Sequence, residues 1–362
     1  MRILVTGAGG FIGSHFVRSL LGTDTDTGFG TDGGFGTDGG FGTDGGFGTD
    51  GGFGTGTSTG PDGGLPPGRE GTTVTALDKL TYAGNRANLP AAAPGLEFVH
   101  GDVCDRDLLR ELLPGHDAVV HFAAESHVDR SLKDAGAFFH TNVVGTHTVL
   151  DAALHSGVER VLHVSTDEVY GSVPHGTSTE TDPLLPNSPY AASKAGSDLA
   201  ARAYVRTHGL DVTVTRCANN YGPRQHPEKL IPRFVTHLLE GRTLPLYGDG
   251  SNVRGWLHVE DHCRALRLVL RHGRAGEIYN IGSGNEHSNL GITERLLDLC
   301  GADRSVIRRV ADRKGHDLRY SLDDRKIREE LGYAPSVPFE QGLAATVDWY
   351  RDNPDWWKAE RA

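Results

Sequence analysis

Short, mostly apolar runs of strand length recur along the chain at Arg2 to Thr6, Thr73 to Leu77, Leu96 to Val99, Ala118 to Phe122, Arg160 to Ser165 and Asp211 to Arg216. Between several of them lie segments whose apolar positions return at helical spacing, among them Asp105 to Leu113, Asn142 to Ser156 and Ala191 to His208. Alternating strands and helices of these lengths predict an α/β fold, a doubly wound parallel sheet of the Rossmann type with helices on both faces. After Arg216 the pattern turns irregular and rich in Pro, Gly and Asn, which predicts a smaller C-terminal substrate-binding domain. The expected division is 1–216 and 217–362, with some segments of the second part returning to the first.

One stretch breaks the alternation. GFGTDG occurs four times in tandem from Gly28 to Gly51, and a fifth copy decays after it. Each repeat is half glycine and offers one Phe, so ordering it costs much backbone entropy for little burial, and the composition predicts a disordered loop insert over residues 23–67. GGFGTD also matches the first six positions of a calcium-binding nonapeptide turn, but the period here is six and the inward aliphatic residue is missing, so no metal site is expected. Loop closure entropy grows only logarithmically with length, so a surface loop accepts such an elaboration cheaply. Deleting residues 23–67 and closing the loop is therefore expected to leave a soluble protein that still binds its cofactor, as a melting curve and a binding titration will show.

TGAGGFIG follows the first strand directly and opens a helical pattern, with glycines at Gly7, Gly10 and Gly13. Glycines at this spacing between strand and helix let backbone approach a dinucleotide pyrophosphate, whose charge sits at the helix N-terminus. The fingerprint also calls for an acidic residue about 20 positions on, at the end of the second strand, to accept from a ribose hydroxyl. Asp78 ends the run Thr73 to Leu77 but lies 65 residues after Gly13. Removing the insert restores a normal spacing, and an acid at that position favours NAD over NADP, with the neighbouring Lys79 acting against that preference.

Two further stretches carry reactive groups. SPYAASKAGSD places Tyr190 and Lys194 at i and i+4, on one face of a helix. For a phenol to act as a base near neutrality its pKa must fall from about 10 toward 7, roughly 4 kcal/mol of differential stabilisation, which an ammonium about 4 Å away can supply. HVSTDEVYG sets Thr166, Asp167 and Glu168 at the carboxyl end of a predicted strand, where open α/β sheets bind their ligands. Adjacent carboxyls push their pKa values apart, so one can stay protonated as an acid while the other is a base.

With TGAGGFIGSHFV, DKLTYAGN, HFAAESHVDRS, STDEVYG, SPYAASKAGSD, NNYGP, PEKLIP, LPLYGDG, GWLHVEDH, YNIGSGNEHSN and GHDLRY, the chain resembles the dTDP-glucose 4,6-dehydratases of the extended short-chain dehydrogenase family over nearly its whole length except the insert. Asp167 before Glu168 is the most specific element, because related epimerases, decarboxylases and GDP-mannose dehydratases usually carry another residue there. The resemblance implies that Phe11, Ile12, Asp78, Lys79, Leu80, Thr81, Asp102, Val103, Phe122, Ala123, Ala124, Thr141, Tyr190, Lys194 and Asn220 line NAD. It implies that Ser126, Thr166, Asn219, Lys229, Leu230, Pro245, Tyr247, Arg254, Asn289, Asp312 and His316 hold the nucleotide-sugar. It further implies a homodimer in which C4 of the sugar is oxidised, water is eliminated across C5 and C6, and the hydride returns to C6. Three positions depart from the family pattern. Gly255 replaces an Asp that would orient Arg254, Lys314 replaces a Pro before His316, and the first turn reads GAGG instead of GGAG.

Composition narrows the alternatives. The net charge is −11, and the seven Asp of residues 23–68, with no Lys, Arg or Glu among them, supply most of it. A nucleic-acid partner is not expected. No run approaches the roughly 18 apolar residues of a membrane span, and the start has no signal-peptide pattern, so a cytoplasmic protein without a membrane partner is expected. Cys104, Cys217, Cys263 and Cys300 lack ligand or disulfide spacing and are read as reduced. Two rival functions remain. A UDP-hexose 4-epimerase would use Tyr190 and NAD but has no need of Asp167 and Glu168, and a non-catalytic NAD-binding regulator would need none of these groups intact.

Overall fold

The computed structural model describes residues 1–23 and 71–360. The GFGTDG repeats and nearly all of the expected insert lie outside the described residues. Strands are numbered in chain order. A seven-stranded, all-parallel sheet contains β1 (Arg2–Thr6), β2 (Thr73–Asp78), β3 (Leu96–His100), β4 (Ala118–His121), β5 (Arg160–Thr166), β6 (Val212–Cys217) and β10 (Ile278–Ile281). Across the sheet they run β10-β6-β5-β4-β1-β2-β3, so the order reverses between β1 and β4. Each of the six predicted runs is a strand of this sheet, within a residue at either end.

One apolar core lies on each face. On one side Phe16 and Val17 of helix Phe11–Leu21 meet Ala265, Leu266 and Val269 of helix Val259–His272. On the other, Leu109 of helix Arg106–Leu112, Val149 and Ala153 of helix Thr146–Ser156, and Ala201 of helix Pro189–His208 close over Leu4, Val119 and Val161. Such two-sided burial is why the strands read as continuous apolar runs.

The later part of the chain builds a smaller lobe. β7 (Asn219–Tyr221), β9 (Val253–His258) and β11 (Glu286–Ser288) form a three-stranded sheet, and β8 (Leu244–Tyr247) pairs with β12 (Ile307–Val310). Their apolar sides pack with Phe234, Leu296, Leu343 and Tyr350 into a separate core. The chain crosses between the lobes repeatedly, since helix Val259–His272 and β10 both return to the large sheet.

Candidate active site

A cleft of about 300 Å³ opens at the carboxyl ends of the parallel strands, over the point where strand order reverses. Its floor is the glycine turn. Gly7 has φ 68°, and a Cβ there would stand 2.6 Å from the Ala123 nitrogen, while a Cβ on Gly13 would stand 2.2 Å from the Gly7 carbonyl oxygen. Only glycine allows this close approach of strand, turn and helix. Among the described residues no side chain caps the N-terminus of helix Phe11–Leu21, which leaves its first amides to an anion. At the end of β2 the buried Asp78 accepts from the amides of Gly9 at 2.8 Å and Leu80 at 2.7 Å. Burial raises its pKa against those hydrogen bonds. Leu80 adopts φ 52° beside it, outside the lining.

Gly7, Gly10, Phe11, Ile12, Gly13, Asp78, Lys79, Thr81, Asp102, Val103, Phe122, Ala123, Ala124, Thr141 and Asn220 all line this one cleft. Lys79 is engaged by Asp102 at 2.7 Å. A glycine turn at a helix N-terminus, a buried carboxylate at the next strand end and apolar walls fit a dinucleotide, with the carboxylate suited to ribose hydroxyls.

At the centre of the cleft Tyr190 and Lys194 project from helix Pro189–His208. Ser188 caps that helix by accepting from the Ala191 amide at 3.1 Å, with Pro189 at its first turn. Lys194 Nζ donates to the Val164 carbonyl on β5 at 2.8 Å, which ties the helix to the strand bearing Thr166. The segment His140–Gly145, which leads into helix Thr146–Ser156, is a π-helical turn, and its Asn142 bridges the Glu125 backbone to Ser193. Thr166 Oγ accepts from the Glu168 amide at 3.3 Å and donates to Asp167 Oδ1 at 3.2 Å. All five predicted catalytic residues line the cleft together.

The electrostatics differ from the expectation in one respect. Burial, with the Glu168 charge behind it, holds the Tyr190 phenol well above its ordinary value, and Lys194 does not bring it down. Burial depresses Lys194 itself to about 8, opposed by the Asp198 carboxylate. For the carboxyls the expectation holds at Asp167. Complete burial first, and the Glu168 charge second, push it up to about 8, and its Oδ2 has no hydrogen-bond partner among the described residues. Asp167 is thus protonated at neutral pH.

The residues expected to hold a nucleotide-sugar fall in two groups. Ser126, Thr166, Asn219 and Lys229 line the cleft, where the enclosed Lys229 ammonium donates to the Ser126 carbonyl at 2.6 Å and is pushed down by burial. Leu230, Pro245, Tyr247, Arg254, Asn289, Asp312 and His316 are absent from that lining, although the same smaller lobe supplies Asn219 and Lys229 to it. Tyr247 donates to Asp129 at 2.9 Å and meets the His316 ring edge-on, and His316 Nδ1 pairs with Asp312 at 2.7 Å. That pair holds the loop that carries Lys314. Arg254 is oriented without an acid at position 255, donating to the carbonyls of Val253 at 2.7 Å and Asp317 at 2.9 Å and stacking over Tyr320 at 4.2 Å.

Sequence reasoning passed over Tyr320 and Asp317. The Tyr320 hydroxyl donates to Asp317 Oδ2 at 2.6 Å and lies 3.4 Å from Glu168 Oε2, so it stands directly behind the second carboxyl. Both sit in GHDLRY, where only His316 was singled out. Tyr82, Glu125 and Glu228, also in the lining, were missed too.

A sequence model described as GDP-mannose 4,6 dehydratase matches residues 67–346. A dTDP-glucose 4,6-dehydratase of an Actinoplanes species is 54% identical over 359 residues, which cover 99% of this chain and 100% of the relative. The crystal structure of DesIV, a dTDP-glucose 4,6-dehydratase from Streptomyces venezuelae with NAD bound, is 57% identical and superposes with a TM-score of 0.85, covering 99% of this chain and 100% of that one. A UDP-glucose 4-epimerase from Thermotoga maritima shares the fold at a TM-score of 0.80 but only 28% of the sequence, over 98% of this chain and 100% of its own. With these likenesses added to a buried Asp167 and a half-buried Glu168 in one cleft with Tyr190 and Lys194, the chain belongs to the dTDP-glucose 4,6-dehydratase family.

Proposed function

We propose that this protein dehydrates dTDP-glucose to the 4-keto-6-deoxy sugar nucleotide. The observation that carries this reading is Asp167, buried next to Glu168 in the cleft that holds Tyr190, where burial pushes its carboxyl toward the neutral form. An epimerase has no use for such a pair.

NAD, when bound, supplies the reversible two-electron sink and brings a cationic ring that favours the Tyr190 phenolate. Gly7, Gly10 and Gly13 would hold its pyrophosphate and Asp78 its ribose. Tyr190 takes the proton of the 4-hydroxyl, and Lys194, anchored on Val164, keeps the phenol in place. The 4-ketone acidifies C5-H, Glu168 removes that proton, and Asp167 donates its own to the departing 6-hydroxyl. Lys229 and Arg254 are cations suited to the diphosphate.

We further read residues 1–216 as the NAD-binding part and 217–362 as mainly the substrate part. The homodimer reading is supported by Phe139, Val144 and Leu199, which are exposed on contacting helical segments that a second copy would cover. The oligomeric state is tested by sedimentation. The cytoplasmic reading is supported by four cysteines that are all free. Among the described residues no helix is long and apolar enough to cross a membrane.

Isotope labelling tests the chemistry. Deuterium placed at C4 of dTDP-glucose is expected at C6 of the product, with the new C5 hydrogen drawn from solvent. Return of the label to C4 would indicate an epimerase, and an unchanged sugar a mere binder. The same incubation with UDP-glucose is expected to turn over far more slowly.

A further inference from the structure

The glycine turn is held from behind by the far end of the chain. Gly9 lies at its centre, and the Gly9 carbonyl accepts twice, from the Asn85 amide at 2.9 Å and from Asn88 Nδ2 at 2.9 Å. The Gly9 amide meanwhile donates to Asp78 Oδ2. These three bonds fix the two peptide units on either side of Gly9, and they bind the turn to the carboxylate suited to ribose. Asn85 and Asn88 are themselves gripped from the smaller lobe. Asn88, which is 2% exposed, accepts on Oδ1 from Trp356 Nε1 at 2.9 Å. Asn85 Nδ2 donates to the Glu360 carboxylate. Trp356 belongs to helix Pro354–Ala359, which is anchored by Trp357 Nε1 donating to the Tyr350 carbonyl at 2.8 Å and by the edge-on packing of Trp356 against Trp349. Two parallel paths of hydrogen bonds therefore run from the C-terminal segment through two asparagines to a single carbonyl of the dinucleotide turn.

We propose that Trp356 and Glu360 are positioning residues that set NAD affinity, by holding Asn88 and Asn85 in the orientation that fixes Gly9. Neither residue lines the cleft, so neither acts by touching the cofactor; Trp356 acts through the turn, and Glu360 through the turn and through the lining residue His226, whose Nε2 lies 3.8 Å from its carboxylate. A turn that must approach a pyrophosphate closely gains affinity by being ordered beforehand, and a brace that removes its alternatives has its effect on binding, with little on the chemical step. The inference rests on the assignment of the cleft to NAD.

Calorimetric titration with NAD, and separately with dTDP, tests it on the full chain. Trp356→Phe keeps the packing against Trp349 but removes the donor to Asn88, and Glu360→Ala removes the acceptor for Asn85. Each is expected to weaken NAD binding about five-fold, and the pair about twenty-fold, the scale of one and two hydrogen bonds. Binding of dTDP is expected to stay within about two-fold of wild type, and kcat at saturating NAD is expected to be unchanged. Glu360→Gln, whose amide oxygen still accepts from Asn85, is expected to restore the affinity. Wild-type NAD affinity in both Trp356→Phe and Glu360→Ala overturns the brace, and so does a parallel loss of NAD affinity, dTDP affinity and melting temperature, which would mark general loosening. A wild-type protein that binds no NAD at all overturns the cofactor assignment itself, and the brace with it.

Discussion

Glu168→Gln is expected to hold the enzyme halfway through its cycle. The amide is nearly isosteric with the carboxylate but cannot take the C5 proton, so oxidation at C4 proceeds and elimination does not. Loss of a positioned general base lowers kcat by about 10²- to 10⁴-fold. The diagnostic sign is a rise of NADH absorbance after substrate is added, approaching one equivalent per chain, which decays far more slowly than in wild type. The Glu168 amide donates to Thr166 Oγ and its side chain lies beside Tyr320, so the substitution disturbs no apolar packing. A variant that turns over at the wild-type rate would remove Glu168 from the role of base. One that binds substrate yet forms no NADH would place Glu168 in the first oxidation.

Much of this site is legible in the sequence because its parts are local. The glycine turn, Thr166 to Glu168 at the end of β5, and Tyr190 with Lys194 on one helix each declare themselves within a dozen residues. Asp78 needed one further step, the removal of an insert that had stretched the fingerprint spacing. What stayed hidden depends on residues far apart in the chain. β10 lies in the later part of the chain, away from the strand-helix alternation, and joins the sheet beside β6 after helix Val259–His272 has returned to it. Tyr320 reaches Glu168 across 152 positions. The electrostatics of Tyr190 were misjudged for a related reason. The i, i+4 spacing brings an ammonium near the phenol, but enclosure by Phe138 and Val128, residues of other segments, sets the desolvation that dominates.

Asp167→Asn is expected to separate stability from activity. The native Asp167 carboxyl keeps its proton up to about 8, whereas an ordinary carboxyl releases it near 3.8. Between those values the folded protein binds more protons than the unfolded chain at this position, so stability falls as pH rises through the window and levels off above it. At pH 7 the handicap is on the order of 4 kcal/mol, a large fraction of what a folded domain usually has to spare. Asparagine is neutral at every pH, can still accept from Thr166 Oγ through its amide oxygen, and removes the handicap. The variant is therefore expected to melt several degrees above wild type at pH 7 and to converge with it near pH 4, as melting curves across that range will show. Its catalysis should move the other way, because an amide has no proton to give to the departing 6-hydroxyl. Elimination is expected to slow by about 10²-fold or more while the first oxidation survives. A variant no more stable than wild type at pH 7 would mean that Asp167 is ionised in the folded protein, and the role of acid would then have to pass to another group.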